Sequence, residues 1–353
     1  MKILHTADLH IEKENDVEIL ETIIGIAENN NCDHILISGD LFENGHCAGI
    51  YSSMVKHILE SFSGKVWVIP GNHDENLPEV MHLEAGKGKV FDDVEMIPLD
   101  EDTDLLAIPY GDGSFTDLLL ENKIPDSDKD IITMMHGTLY RDDCFYSDGD
   151  SEEYFPIKYE RLQEMEFTYT ALGHYHTYFQ DISEHGGTIV NPGSPVITRK
   201  SDNGRRAVAL FDTETSSLKK ILLDTPYYHE LELSINFMMG EEEIIETVNN
   251  LIHEIVSNKE TKTDLLTLNF LITGNTSMEQ DDLEMLELHL KDIFAEKEIL
   301  SVNIQTRVKI INKKFLSDPL IASILNTENN DNDDEGFKEF AVSVLSDIYT
   351  NEL

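Results

Sequence analysis

VWVIPGNHD, residues 66–74, runs four apolar side chains into a Pro-Gly turn and then sets an amide, an imidazole and a carboxylate side by side. A short β-rich run of this kind reads as a buried strand. Having buried Val66, Trp67, Val68 and Ile69, such a strand has no structural use for Asn72, His73 and Asp74 at its end, so the turn is expected to hold something. The same grammar recurs along the chain. KILH ends in TADLH, with Asp8 and His10; HILIS (34–38) ends in GD, with Asp40; IITMM (131–135) ends in HG, with His136; YTAL (169–172) ends in GHYH, with His174 and His176.

Helical patterns separate the first strands. Val17, Leu20, Ile23, Ile24 and Ala27 recur at helical spacing, as do Met54, Val55, Ile58, Leu59 and Phe62. Apolar strands alternating with amphipathic helices imply layered α/β packing. LLAIP (105–109) is a further strand, whereas TIV (188–190), AVALF (207–211) and KILL (220–223) follow without helices between them, which predicts a second, more antiparallel sheet. In an open α/β sheet, ligands collect beyond the carboxyl ends of the strands, so the polar turns converge on one crevice.

A lone aspartate after a strand usually caps a turn, and a lone histidine is more often a satisfied core residue than a ligand. Four histidines, two aspartates and an asparagine converging on one edge are another matter, because buried imidazoles and carboxylates need partners. The donors mix nitrogen and oxygen without cysteine. That suits two divalent first-row ions sharing a carboxylate, with Mn, Fe or Zn all compatible. Two ions about 3.5–4 Å apart polarise a phosphoryl group, lower the pKa of a bound water and stabilise the leaving oxygen. The expected chemistry is hydrolysis of a phosphate ester.

The 353 residues exceed the usual single-domain size, and a 40% hydrophobic share suffices for a core. No apolar run approaches the roughly 20 residues that span a bilayer, and MKILHTADLH lacks the features of a signal peptide, so a soluble cytoplasmic protein without membrane contact is expected. Cys32, Cys47 and Cys144 show no CxxC spacing and read as free thiols. The 69 acidic against 26 basic residues give a net charge of −43. Repulsion of nucleic acid, an acidic tail and adaptation to a salty cytoplasm are the competing readings; the even spread of acids favours a halophile-like surface. At molar salt the Debye length is about 3 Å, so this charge does not exclude a nucleic-acid substrate.

After DTPYYHE (224–230) the pattern becomes strand, acidic amphipathic helix, strand, helix, strand. Three segments are expected: 1–225, 226–312 and 313–353. In the last, Asp318 and Pro319 can start a helix, and NTENNDNDDEG (326–336) has the composition of a flexible acidic loop. Phe337, Phe340, Ala341, Val344, Leu345 and Ile348 form an apolar stripe at helical spacing. Either this helix docks on its own domain or it binds a partner.

DLH, GDLF, GNHD, HG and GHYH, in this order, resemble the signature of the calcineurin-like metallophosphoesterases. LHTADLHIEKEN, GDLF, GNHDEN and the later NPGSP most resemble the SbcCD-type nuclease subunits of double-strand-break repair, through about residue 230. The resemblance implies a layered metallophosphoesterase sandwich of two sheets flanked by helices, with a smaller α+β capping domain for DNA recognition and C-terminal helices. It implies a first metal on Asp8, His10, Asp40 and His176, and a second on Asp40, Asn72, His136 and His174, with Asp40 as the bridge. His73 would face the scissile phosphate and help protonate the leaving oxygen. Asp74 would either orient His73 or cap the turn.

The resemblance further implies a homodimer, Mn-dependent 3′ to 5′ exonuclease and single-strand endonuclease activity, and a coiled-coil SbcC-type ATPase bound through C-terminal helices, for which Phe337, Phe340, Val344, Leu345 and Ile348 are the candidates. One departure stands out: some relatives have a second active-site histidine three residues after the bridging aspartate, where this chain has Glu43, and His46 lies close in sequence. Arg199, Lys200, Arg205 and Arg206 form the dense basic cluster of a chain with six arginines, either a DNA contact or ordinary surface charge. Two rival functions remain, a phosphodiesterase for small molecules and a scaffold that has lost its metals. A protein phosphatase is disfavoured because those relatives read GNHE where this chain reads GNHD.

Overall fold

The computed structural model describes residues 1–125, 127–141, 144–145, 154–199, 202–311, 316 and 319–325. It divides into two compact units, at Thr225 and Pro226.

In the first unit, strand β1 (Lys2–Thr6) leads through helix α1 (Glu18–Asn29) to β2 (His34–Ser38), then through α2 (Gly45–Ser61) to β3 (Lys65–Ile69). A short α3 (Leu77–Val80) precedes β4 (Gly88–Val90), and β1 to β4 are mutually parallel neighbours in that order. Next come β5 (Glu95–Pro98), β6 (Thr103–Ile108), α4 (Phe115–Leu120), β7 (Asp130–His136) and a small sheet of β8 (Leu139–Arg141), β9 (Cys144–Phe145) and β10 (Ile157–Lys158). Helix α5 (Tyr159–Glu164), β11 (Tyr169–Gly173), β12 (Phe179–Ile182), β13 (Thr188–Asn191), β14 (Ala207–Asp212) and β15 (Ser217–Leu222) complete the unit.

The result is an α/β fold in which two six-stranded mixed sheets face one another, in the orders β15-β14-β1-β2-β3-β4 and β12-β13-β11-β7-β6-β5. Period-2 alternation explains the layers. Ile3, Leu36, Trp67 and Ile69 point between the sheets, against Leu105, Ala107, Ile132, Met134 and Tyr169. Their neighbours Leu4, Ile35, Ile37, Val66 and Val68 point the other way, under α1 and α2. Leu106, Ile108, Met135 and Leu172 pack on the outer face of the second sheet with Leu162 of α5. Met54 leaves the predicted helical stripe and is 41% exposed, because it stands about 100° around the helix from the buried Val55.

The late strands do not form a separate antiparallel sheet as their spacing suggested. β12 and β13 join the second sheet, whose β6, β7, β11 and β13 are parallel, while β14 and β15 add as an antiparallel hairpin to β1. The free edge of β1 needs backbone partners, and β14 supplies them from Lys2 opposite Asp212 to His5 opposite Ala209.

The second unit is β16 (Tyr227–Ile235), α6 (Glu241–Ser257), β17 (Leu266–Thr276), α7 (Gln280–Ala295) and β18 (Ser301–Ile310), with all three strands parallel and β17 central. Leu233, Ile235, Leu268, Phe270 and Ile272 bury against Ile244, Val248 and Ile252 of α6 and Leu286, Leu290 and Phe294 of α7. Three glutamates in the first turn of α6 complement the helix dipole. A closing helical segment, Pro319–Leu325, sets Ile321 against Phe237 and Ile311. No helix among the described residues is long and apolar enough to cross a membrane. Lys200, Asp318, Phe337, Phe340, Ala341, Val344, Leu345 and Ile348 lie outside the described residues.

Candidate metal centre

The loops after β1 and β2 run beside one another. Asp8 N donates to the Gly39 carbonyl at 3.0 Å, His10 N to the Asp40 carbonyl at 3.0 Å and Ile11 N to the Leu41 carbonyl at 3.1 Å. This zipper turns Asp8, His10 and Asp40 together, at the cost of left-handed backbone: φ is 54° at Asp8, 46° at His10, 51° at Asp40 and 103° at His174. Non-glycine residues in that region cost of order 1–3 kcal/mol each, and they persist where surrounding structure over-determines them. Two glycines allow the close approach: a Cβ on Gly39 would overlap the His136 ring, and one on Gly71 the Asp40 carboxylate.

The side chains that the strand ends were expected to bring together do meet. Asp8, His10 and His176 form one buried group of ligand-type atoms within 4.8 Å of one another, and Asp8, Asp40 and His136 form a second. His10, Asp40 and His73 form a third, so nearness alone does not separate His73 from the ligands. His136 Nε2 lies 3.0 Å from Asn72 Oδ1 and 3.4 Å from Asp40 Oδ2. The His174 ring stacks edge-on to His136 at 5.5 Å, and its backbone N–H donates to both oxygens of Asp8 at 2.9 and 3.1 Å.

The charges in this cage are unbalanced without cations. Burial lifts the pKa of Asp8 to about 7, against the pull of the His136 and His176 imidazoles. Burial would raise Asp40 too, but His136, His10 and the His73 N–H hold it below the ordinary carboxylate range. Burial alone would lower His136, yet the Asp40 and Asp8 carboxylates lift it to about 9. Burial pushes His10 and His174 down to about 3. A buried carboxyl and a buried imidazole that both bind protons more tightly than usual form a site where protons stand in for cations.

The donor set fits metal. His10 Nε2 is buried with no hydrogen-bond partner, 3.6 Å from Asp40 Oδ2, while its Nδ1 is engaged at 2.8 Å by Glu43 Oε2. An imidazole held this way offers a lone pair from Nε2. His136 is oriented likewise by the Ser38 carbonyl, 2.8 Å from Nδ1. These buried aspartate and histidine clusters suit two metal ions, with nitrogen and oxygen donors that several divalent first-row metals accept.

One open alternative is decided and two expectations need correction. Asp74 does not orient His73: its oxygens accept from Leu41 N, Phe42 N and Gly71 N at 3.0, 2.9 and 3.0 Å, so it caps the turn, while His73 Nδ1 donates to the Glu43 carbonyl at 2.8 Å. Arg206 is no surface DNA contact. It is 3% exposed, with its guanidinium on the carbonyls of His176, Asp202, Asn203 and Gly204. Arg205 bonds the Leu223 carbonyl and the Asp224 carboxylate with a side chain 9% exposed. Of the basic cluster, Arg199 alone among the described residues reaches the site. It lines a cavity of about 50 Å³ with Asp40, Asn72, His73, His174, His176 and Tyr154. His46 sits exposed on α2 and does not replace the histidine that Glu43 displaces.

The residues that sequence reasoning missed are the supports. His176 Nδ1 donates to Thr198 Oγ1 at 2.5 Å, and that hydroxyl donates to the buried Asp202 at 2.8 Å. Thr198 and Asp202 flank the basic run, but nothing in their spacing announces a ligand support. Tyr154 enters the cavity from a segment that carries no motif. A cleft of about 650 Å³, lined by Pro70, Asn72, Glu75, Pro78, His82 and Tyr110 among others, also borders Asn72.

No curated protein matches the chain in sequence. Among solved structures, an archaeal phosphodiesterase is 15% identical with a TM-score of 0.38, covering 63% of this chain and 100% of that one. A dimetal phosphatase from Danio rerio is 10% identical, with a TM-score of 0.40 and coverage of 60% and 91%. The Pseudomonas putida nuclease MPE is 15% identical, with a TM-score of 0.27 and coverage of 62% and 87%. A family model described as calcineurin-like phosphoesterase matches residues 1–178, just over half of the 353. That span takes in every strand end that feeds the metal cage, and the chain belongs to the calcineurin-like phosphoesterase family, as a metal-dependent phosphoester hydrolase.

Proposed function

We propose that this phosphoesterase is the nuclease subunit of an SbcCD-type double-strand-break repair assembly, hydrolysing DNA phosphodiester bonds with two divalent cations, manganese foremost. The observation that carries the nuclease reading beyond the general one is the packing of the NPGSP segment. Asn191 Nδ2 donates to the carbonyls of Tyr175 and Thr177, either side of His176, at 2.7 and 3.0 Å, and Ser194 N donates to the His176 carbonyl at 3.1 Å. The segment that carries the closer resemblance is therefore built onto a ligand, and it leads directly into Arg199 at the cavity.

Asp8, His10, Asp40 and His176 would hold one ion, and Asp40, Asn72, His136 and His174 the other. Bound there, the ions supply Lewis acidity toward the phosphoryl oxygens and a nucleophile at neutral pH. His73, with Nδ1 committed to the Glu43 carbonyl, has Nε2 left to meet the phosphate and protonate the leaving oxygen. Arg199 would pair with a non-bridging oxygen, and the cleft beside Asn72 has room for the organic part of the ester. In this reading the 226–312 unit recognises DNA, the chain works as a homodimer, and a coiled-coil ATPase binds residues 313–353.

A second reading, a small-molecule phosphodiesterase, draws on the net charge of −43. The two separate on one experiment: incubation with linear duplex, single-stranded DNA and bis-p-nitrophenyl phosphate, with manganese, at low and high KCl. The nuclease reading expects DNA cleavage that strengthens as salt screens the acidic surface. Hydrolysis of the small diester alone, at every salt concentration, overturns it.

A further inference from the structure

We infer that Asp202 is a positioning residue that ties the cavity arginine, Arg199, to the metal ligand His176, so that cation binding at His176 and phosphate binding at Arg199 reinforce one another. This rests on the reading in which His176 holds a cation and Arg199 meets a phosphoryl oxygen, and it does not require the ester to be DNA. One carboxylate oxygen carries the connection. Asp202 Oδ2 accepts from Thr198 Oγ1 at 2.8 Å, from Thr198 N at 2.9 Å and from Arg199 N at 2.9 Å. It lies 3.5 Å from His176 Nδ1, whose own hydrogen bond goes to the Thr198 hydroxyl. The Asp202 N–H in turn donates to the Arg199 carbonyl at 3.1 Å, so the main chain of Arg199 is gripped on both sides.

An aspartate that serves only a turn bonds N–H groups further along its own chain. Asp202 instead reaches back three and four residues, and its side chain is 2% exposed. The main chain closes the same circuit: the Arg206 guanidinium joins the His176 carbonyl to those of Asp202, Asn203 and Gly204. The segment is therefore fastened to both the ring and the backbone of the ligand. With Nδ1 of His176 committed to Thr198, Nε2 is the nitrogen left for a cation. A ligand imidazole and the hydrogen-bonded group behind it orient one another, so fixing the ring also firms the relay through Thr198 to Asp202. Arg199 then has less freedom to lose when it meets a phosphoryl oxygen, which lowers the ordering cost of that contact.

The test combines hydrogen exchange, calorimetry and steady-state kinetics on the full-length protein, with bis-p-nitrophenyl phosphate as the diester. Adding manganese to the metal-free parent should slow exchange of the Thr198 and Arg199 N–H groups, and Thr198→Val, which cuts only the hydroxyl relay, should cancel that slowing. At saturating manganese Arg199→Gln should raise KM by about 10-fold, as for a lost charged hydrogen bond, without weakening manganese binding. Asp202→Asn should weaken manganese binding by about 10- to 100-fold and also raise KM, while the double variant should have a KM no higher than that of Arg199→Gln. A mere folding defect lowers the active fraction, and with it kcat, at unchanged KM. If Asp202→Asn does not fold, exchange in the parent and in Thr198→Val decides. Unchanged exchange on adding manganese, an unmoved KM in Asp202→Asn, or KM effects that multiply in the double variant overturns the coupling. A parental KM in Arg199→Gln would reject the arginine's part in the chemistry and the coupling with it. Whether DNA is the substrate is decided separately, by the nucleic-acid incubation.

Discussion

Both units of this chain are built on parallel strands joined through helices, yet only the first turns its strand ends into chemistry. In the first unit β1, β2, β3, β7 and β11 run out into Asp8, Asp40, Asn72, His136 and His174. In the second, β16, β17 and β18 run out into Asn236-Phe237, Ser277-Met278 and Ile311. Among the described residues every group able to hold a metal lies in the first unit. Parallel topology offers a crevice in each case, so topology is permissive and side chains decide. The backbone marks the same contrast. Four cage residues sit at positive φ, whereas in the second unit the described positive-φ positions are Glu298 and Gly274. Asn31, Asn76, Asn122, Phe155, Glu166 and Ser216 share that region outside the cage, so strained backbone is a feature of the first unit's turns that the cage uses, and the second unit is close to a pure packing problem.

Asp40 should break the first unit's function most completely, because it belongs to two of the three ligand groups and its oxygen also accepts the His73 N–H at 2.9 Å. Asp40→Asn is expected to abolish hydrolysis of bis-p-nitrophenyl phosphate down to background and to cut manganese content below that of the parent. Retention of both ions with measurable turnover would show that the carboxylate is not shared. His73→Ala should spare the metals and lower cleavage by roughly 10²- to 10⁴-fold, the range typical of a general acid. Near-parental turnover would remove His73 from the chemistry.

The second unit sharpens the contrast through stability. Leu290 is fully buried between α7 and the sheet, and Leu288 on the same helix is 55% exposed. Leu290→Ala should cost about 2–5 kcal/mol in chemical denaturation, from lost burial and the cavity left behind, and Leu288→Ala within about 0.5 kcal/mol. Neither should change manganese affinity. A Leu290→Ala variant with weakened manganese binding would mean that the packing unit and the chemical unit are energetically coupled.

How much of this was legible beforehand follows the same division. The cage was readable because each of its segments is local: an apolar run followed within a few residues by a ligand, repeated along the chain. Hydrophobic alternation likewise named the residues between the sheets. The supports were not readable, because Glu43 behind His10 and Asp202 behind His176 depend on loops that meet only in three dimensions. The same holds for Arg205 and Arg206. Their charge suggested solvent or DNA, but carbonyls surround the buried Arg206, and Arg205 is held by the Leu223 carbonyl and the exposed Asp224 carboxylate, arrangements that sequence does not reveal. β14 and β15 were assigned to the wrong sheet for a related reason, since pairing partners across more than 200 residues leave no mark in local pattern.

The smallest expected effect is also the one that tests the electrostatics of the cage directly. In metal-free protein the pKa of Asp8 is raised to about 7 and that of His136 to about 9. A raised folded-state pKa contributes stability present at low pH and lost as pH rises through the folded value. Asp8 should therefore give up its contribution between about pH 4 and 7, and His136 between about pH 6.5 and 9, so the decline above pH 7 is that of His136. His5, His10 and His174 act in the opposite sense. Burial lowers each to about 3, so their contribution is complete above the ordinary histidine pKa and is lost as pH falls below it. The thermal midpoint of EDTA-treated protein should accordingly peak near pH 6.5 and decline by a few degrees toward pH 9. Saturating manganese should remove that decline, because the cations then occupy the place of the protons that Asp8 and His136 give up. A metal-free midpoint that rises from pH 6.5 to 9 would mean that Asp8 and His136 are not holding protons against each other's neighbours, and that the cage is satisfied without metal.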